Sequence, residues 1–291
     1  MDYPQILSIQ SAVSYGFAGN SAAVFPLRRA GIDVWPVYTV NFSNHTGYGA
    51  WRGIHIAASD VSDIVTGIDE RGALTHVDAV LSGYQGSADM GEAIVAAVEL
   101  VKQRNPAARY CADPVFGDVG RGVYAAAGIP EMMRDLVTPR ADIMTPNLFE
   151  LQYLTGRPTN TLADIVAAAA ALRELGPETV LVTSAQETGE RPDFVRMIAL
   201  DSTGCWQVET PLIDRTFAGS GFVGSGDLTA AMFLAQLLRG ATLGDALSAT
   251  ASIVYSVLKI TDDLGGVELR LVQAQDSITD PVYRFTAQPL A

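Results

Sequence analysis

The sequence predicts an α/β protein, a mainly parallel sheet covered by helices on both faces, and three observations lead there. Short apolar runs alternate with amphipathic segments along most of the chain. The runs are rich in Val and Ile and are bounded by Gly, Pro or Asp, as strands buried on both faces tend to be. After Met197 the alternation gives way to a hairpin and two long helices. A β–α alternation with crossover helices places its helices on both sides of a parallel sheet, which makes three layers.

The strands are expected at Ile6–Ile9, Val34–Val37, Val77–Leu81, Arg109–Asp113, Asp142–Met144 and Val180–Thr183. Helical spacing joins Ile94, Val98 and Val101, and then Leu162, Ile165, Val166, Ala169 and Leu172. The second of these helices stops at Gly176-Pro177, a C-terminal stop signal. Arg196–Leu200 and Cys205–Glu209 flank Asp201-Ser202-Thr203-Gly204, the pattern of an antiparallel hairpin. Two long helices are expected over Asp227–Arg239 and Thr242–Lys259. No Pro/Ser-rich linker or repeat divides the chain, so residues 1–291 are expected to form one domain.

Bulk composition excludes several classes of function. With 291 residues, 48% of them hydrophobic, the chain can bury a large core without disulfides. A net charge of −13 argues against a nucleic-acid binder, which needs a basic face. It leaves a nucleotide possible, because Mg²⁺ and backbone N–H groups offset phosphate charge locally. Cys111 and Cys205 have no metal-ligand spacing and are expected to be free thiols. The acidic start, Met1-Asp2-Tyr3-Pro4, lacks the pattern of a signal peptide, and apolar runs such as Ile165–Leu172 are too short to span a bilayer. A cytoplasmic protein without membrane contact is expected.

The most informative stretch is Gly219-Ser220-Gly221-Phe222-Val223-Gly224-Ser225-Gly226-Asp227, which leads into a strongly helical run. The first amides of a helix have no intrahelical partner, and the dipole adds positive potential there. Glycines let that backbone approach an anion closely, which suits a phosphoryl group gaining charge during transfer. Asp227 beside such a pocket makes sense as a base for an acceptor hydroxyl. It equally suits a helix N-terminal residue favoured by the dipole. No Lys-Ser/Thr follows the glycines, so this is not a Walker A loop.

The Gly224-Ser225-Gly226-Asp227 stretch resembles the anion hole and catalytic aspartate of ribokinase-superfamily kinases. Further segments resemble the pyridoxal kinases within it. They are Ser11 to Asn20, Phe42-Ser43-Asn44-His45-Thr46-Gly47-Tyr48-Gly49, Ser82-Gly83-Tyr84-Gln85-Gly86, Asp113 to Asp118, and Thr145 to Glu150. They follow in the family's order between about Ile6 and Lys259. The resemblance implies a ribokinase-like α/β/α fold without a separate lid domain, a homodimer, and ATP-dependent phosphorylation of pyridoxal, with pyridoxine and pyridoxamine as further acceptors. It also implies Mg²⁺ with ATP, with or without a monovalent cation.

By the same resemblance, Ser11 and Thr46, with Gly47 beside them, hold the pyridine ring, and Tyr84 and Phe42 wall it. Asp227 acts on the substrate and Gly224, Ser225 and Gly226 form the anion hole. Asp113, Asp118 and Glu150 surround the phosphates and their metal ions. Thr145, Asn147, Thr183 and Ser184 reach the nucleotide. Asn147 and Glu150 also fit a helix capping box, and both roles are compatible. His45 is expected to be structural. Asp118 opens a stretch, Asp118 to Tyr124, that resembles the family's mobile flap over ATP. Thr210 to Ile213, with the loop Arg215–Val223, are expected to flank adenine and triphosphate.

The chain departs from one bacterial branch in having Thr183 where that branch has lysine, which removes a positive charge and shifts compensation to metal ions. The Arg215–Val223 loop is also longer and richer in glycine than in near bacterial relatives. Hydroxymethylpyrimidine kinases share the fold but usually carry cysteine at the Asp227 position and lack the Ser-Asn-His-Thr-Gly-Tyr stretch. A carrier of pyridoxal 5′-phosphate without ATP turnover is the alternative from another class. Asp227 and the acidic set argue against it.

Overall fold

The computed structural model describes residues 3–189, 193–214 and 221–290. Its strands, in chain order, are β1 (Gln5–Val13), β2 (Asp33–Phe42), β3 (Gly53–His55), β4 (Ala79–Ser82), β5 (Arg109–Ala112), β6 (Gly117–Asp118), β7 (Gly122–Val123), β8 (Ile143–Met144), β9 (Thr179–Val182), β10 (Phe194–Asp201), β11 (Gly204–Pro211) and β12 (Gln288–Pro289). The helices are α1 (Asn20–Arg29), α2 (Ala58–Asp69), α3 (Ala88–Arg104), α4 (Ile129–Met132), α5 (Leu148–Thr155), α6 (Leu162–Glu174), α7 (Ser225–Leu238) and α8 (Leu243–Asp263).

Ten of these strands form one sheet in the order β12-β11-β10-β9-β8-β5-β4-β1-β2-β3. From β9 through β2 neighbouring strands pair in parallel, whereas β3 at one edge and β10, β11 and β12 at the other pair antiparallel. Every expected strand and the expected hairpin form. The protein thus has an α/β fold built on a mostly parallel sheet.

Alternate residues of each strand feed different cores, as the period of two requires. Leu7, Ile9, Val80, Tyr110 and Val182 pack on one face with α2, α3, α5 and α6. Ile6, Ala79, Leu81, Cys111 and Leu181 pack on the other with α1, α7 and α8. Both faces are therefore dry, which is why the strands read as continuous apolar runs. Helix α8 is long and apolar enough to pass for a membrane span by composition, unlike the short runs noted in the sequence. However, 67% of its most apolar window is buried inside the protein. It is a core helix because it crosses the second face beneath β10 and β11.

Two local features aim residues at the carboxyl edge of the sheet. Strand β1 slips register against β2 between Gln10 and Ala12, so the pairing breaks at Ser11. Buried Asn20, the first residue of α1, spans this break. Its Nδ2 donates to the carbonyls of Ser8 (3.2 Å), Gln10 (3.3 Å) and Val37 (3.0 Å), and Ser8 Oγ donates to its Oδ1 at 2.7 Å. Helix α7 starts at Ser225, two residues before the expected start, with Gly224 as its N-cap. Gly224 has φ 82°, and a Cβ there would overlap the carbonyl oxygen of Phe17, so both conformation and space require glycine.

Candidate active site

A cleft of about 500 Å³ opens at the carboxyl edge of the parallel strands. It gathers residues from seven separated segments, as expected of an open α/β sheet. Ser11 lies at the β1 break, Phe42 ends β2, and Thr46 begins the following turn. Tyr84 follows β4, Asp113 follows β5, Thr145 follows β8, and Thr183 and Ser184 follow β9. Asp118, Asn147 and Glu150 line the same cleft, as do Gly224, Ser225, Gly226 and Asp227.

Three expected site residues fall outside the lining. Gly47 sits within the turn, its amide donating to His45 Nδ1 at 3.1 Å. Thr210 is buried in β11 opposite Val195, and Ile213 packs against the second core. Of the Arg215–Val223 loop, residues 215–220, including Gly219 and Ser220, lie outside the described residues, while Gly221, Phe222 and Val223 line the cleft.

One end of the cleft is aromatic. Phe42 meets Trp51 with ring centroids 6.3 Å apart, and Tyr84 adds a further wall. Thr39 Oγ1 donates to the Tyr84 carbonyl at 2.8 Å, which ties the Tyr84 segment to β2. His45 does hold its turn, but its ring also faces the cleft. Because Nδ1 accepts the Gly47 amide, the neutral ring carries its proton on Nε2. Burial lowers the His45 pKa and so favours that neutral form.

The other end is acidic. Asp113 is 6% exposed, and Thr145 Oγ1 donates to its Oδ1 at 2.7 Å. Burial and then the charge of Asp227 push the Asp113 pKa up to about 7, against the opposing effect of the Thr145 bond. Asp227 is also raised by burial, opposed by the backbone amides of Gly19 and of Asp227 itself. Glu150 is 3% exposed, and its pKa is raised by burial and the charge of Asp113.

Both oxygens of Glu150 are engaged. Oε1 accepts from the amides of Phe116 (3.1 Å) and Gly117 (3.4 Å), and Oε2 accepts from Asn147 N at 3.0 Å. Asn147 Oδ1 in turn accepts from Glu150 N at 3.0 Å, completing the expected capping box of α5. Ser184 has φ 54°, a left-handed conformation uncommon outside glycine and a sign of a segment held in place at a site.

The acidic set was tested for fit to a metal–nucleotide complex. No group of three His, Cys, Asp or Glu side chains among the described residues could hold a metal ion by itself. Yet Asp113, Asp118, Glu150 and Asp227 face one cleft, where Arg121 is the only Lys or Arg among the described lining residues. Such a donor set fits a hard cation that keeps waters and shares phosphate oxygens, and does not fit a closed protein cage. The backbone bonds of Glu150 suit contact through water.

Sequence reasoning missed Trp51, Tyr124 and Arg121 as lining residues. Trp51 returns to the cleft through β3 pairing. Tyr124 and Arg121 sit on the β6–β7 hairpin, with the Arg121 guanidinium 4.9 Å from the Tyr124 ring centroid. The aromatic and basic residues inside the glycine-rich flap stretch were the available signal.

A Gly-rich turn feeding a helix N-terminus, with a carboxylate in its first turn and acidic residues in the same cleft, suits phosphoryl transfer. Residues 68–270 match the family model described as phosphomethylpyrimidine kinase. The chain is 50% identical over 281 residues to pyridoxal kinase PdxY of Leifsonia xyli, covering 97% of this chain and 98% of that protein. It is 51% identical over 288 residues to pyridoxal kinase PdxY of Rubrobacter xylanophilus, covering 98% and 97%. Among solved structures, pyridoxal kinase from Leishmania donovani in complex with ADP and pyridoxine superposes with a TM-score of 0.89 at 28% identity, covering 99% of each chain. The chain belongs to the pyridoxal kinase family.

Proposed function

We propose that the chain transfers the γ-phosphoryl group of ATP to the 5′-hydroxymethyl group of pyridoxal, giving pyridoxal 5′-phosphate in vitamin B6 salvage. Pyridoxine and pyridoxamine are further acceptors in this proposal. The observation that carries it is the meeting of an aromatic wall and an acidic edge at Asp227, on the first turn of α7.

Phe42, Trp51 and Tyr84 suit a flat heteroaromatic ring, and Ser11 and Thr46 supply directed hydrogen bonds. Asp227 takes the proton of the acceptor hydroxyl as the oxygen–phosphorus bond forms. The amides of Ser225, Gly226 and Asp227 at the open helix end stabilise charge on the transferring group. Thr145, Asn147, Thr183 and Ser184 position the phosphates, and Asp113, Asp118 and Glu150 are the residues that would hold the cation. Mg²⁺ bound with ATP would neutralise phosphate charge. We further propose that residues 1–291 act as one domain in a cytoplasmic homodimer, the dimer being open to light scattering.

The test is ADP formation with pyridoxal, pyridoxine, pyridoxamine and hydroxymethylpyrimidine, for wild type and Asp227→Asn. Pyridoxal is expected to be turned over and hydroxymethylpyrimidine to be poor. Asp227→Asn is expected to lower kcat by roughly 10²–10⁴-fold with little change in pyridoxal KM. Wild-type kcat should fall as pH drops through the raised Asp227 pKa, because the base acts only when ionised. Preference for hydroxymethylpyrimidine refutes the substrate assignment, and a near-normal Asp227→Asn kcat refutes the base.

A further inference from the structure

Glu268 lies beyond α8, in a segment without helical or strand periodicity, and its side chain is 6% exposed. Its carboxylate joins two loops of the cleft from more than two hundred residues away. Oε2 accepts from Phe17 N at 3.0 Å, and Oε1 accepts from the Tyr48 hydroxyl at 2.8 Å. Its backbone pairs with Val223, one residue before the N-cap of α7.

The loop carrying Phe17 is gripped on two sides. Gly16 has φ 88°, and a Cβ there would overlap the Glu268 carboxylate, while the Phe17 carbonyl closes on Gly224. Ser11 and Gly19, which flank this loop, line the cleft, as do His45 and Thr46 beside Tyr48. A single buried carboxylate therefore connects both ring-holding segments to the turn that precedes Asp227.

We propose that Glu268 is a positioning residue that sets the ring-binding loops, and with them the acceptor hydroxyl, against Asp227 and the first turn of α7. The proposal rests on the kinase reading only for its catalytic consequence. A buried carboxylate accepting two hydrogen bonds fixes both donors, and a displacement of about 1 Å between reacting groups can cost roughly 10²-fold in rate. Among the described residues the Glu268 carboxylate bonds only Phe17 and Tyr48 and not the segments after β8 and β9, so its loss should fall on the vitamer and on kcat.

The experiment compares Glu268→Ala, Glu268→Gln and Tyr48→Phe with wild type in full-length protein. Glutamine can accept from Phe17 N through Oε1 and donate to the Tyr48 oxygen through Nε2, so it should restore positioning without charge. Glu268→Ala should raise pyridoxal KM about tenfold and lower kcat about tenfold or more, with ATP KM within about threefold. Glu268→Gln should stay within about threefold on every parameter, and Tyr48→Phe should raise pyridoxal KM by about threefold to fivefold.

Amide hydrogen exchange in 14–19 and 42–49 should quicken about tenfold in Glu268→Ala and not in Glu268→Gln, a readout independent of the reaction. A wild type inactive on every vitamer would refute the kinase reading while exchange still judges the positioning. Unchanged exchange and KM in folded Glu268→Ala, equal losses for ATP and pyridoxal, or Glu268→Gln as damaged as Glu268→Ala would each overturn the proposal. Should the alanine variant fail to fold, an unchanged pyridoxal KM in Tyr48→Phe would overturn it as well.

Discussion

Asp113→Asn should make the protein more stable at alkaline pH, and the size of the gain follows from where the carboxyl sits. The side chain is 6% exposed beyond the end of β5, faces the charge of Asp227, and receives one hydrogen bond, from Thr145 at 2.7 Å. Its pKa moves from an ordinary 3.8 up to about 7, chiefly through burial. The folded protein therefore holds this proton more tightly than the unfolded chain does. The carboxylate imposes no cost below about pH 4, an increasing cost between about 4 and 7, and its full cost above that window.

At 1.36 kcal/mol per pH unit, the cost at pH 8 is on the order of 4 kcal/mol, and at pH 5 it is under about 2 kcal/mol. Asparagine keeps the acceptor for Thr145 and removes the charge. For a chain of 291 residues, the unfolding entropy is roughly 0.6 kcal/mol per kelvin, so Tm at pH 8 should rise by about 7 °C. Calorimetric scans in EDTA without nucleotide, at pH 8 and pH 5, measure it. A lower Tm at pH 8, or a gain of equal size at both pH values, would refute the reasoning.

Other predictions concern the turn and the metal edge. Gly224→Ala forces a Cβ into the Phe17 carbonyl at φ 82°. It should lower kcat by about tenfold or more and cost about 1–3 kcal/mol of stability, read from steady-state kinetics and urea unfolding. Asp118→Asn should raise the Mg²⁺ and ATP concentrations needed for half-maximal rate, leaving pyridoxal KM and Tm near wild type. Glu150→Ala should lower Tm as well, by about 2–4 °C, because three backbone amides and the α5 capping box lose their acceptor. Equal Tm values for the Asp118 and Glu150 variants would remove the distinction between them.

The strands that carry the site were legible because both faces of the sheet are dry, so Val and Ile runs such as Thr179–Val182 stand out without alternation. Strands β3 and β12 were not, being three exposed residues and two at opposite sheet edges. The start of α7 was read too late because glycine is a poor helix former, and Gly224 to Gly226 look like turn until Leu228 N closes the first bond on the Gly224 carbonyl.

The capping box of Asn147 with Glu150 could be read from spacing alone, whereas their place in the site came from the resemblance. Glu268 could not, since nothing near Gly266-Val267-Glu268 signals a loop 251 residues earlier. Thr210 and Ile213, expected to flank the nucleotide, lie outside the lining of the cleft, Thr210 buried in β11 and Ile213 just beyond it against the second core.

The two ends of the cleft explain how one small site can accept unlike substrates. A vitamer ring needs apolar walls and few charges, and the Phe42, Trp51 and Tyr84 end supplies them. In the proposed complex a triphosphate would meet Asp113, Asp118 and Glu150, with Arg121 the only Lys or Arg among the described lining residues. Bare triphosphate would be repelled by such a set, so on the proposed function the acidic edge would favour the nucleotide with its cation over the anion alone. Asp227 lines the same cleft, and burial raises its pKa, which would make it a stronger base toward a hydroxyl. On the proposed function, the Asp113 carboxylate that costs stability when ionised is thus one of the groups that would hold the cation beside the nucleotide.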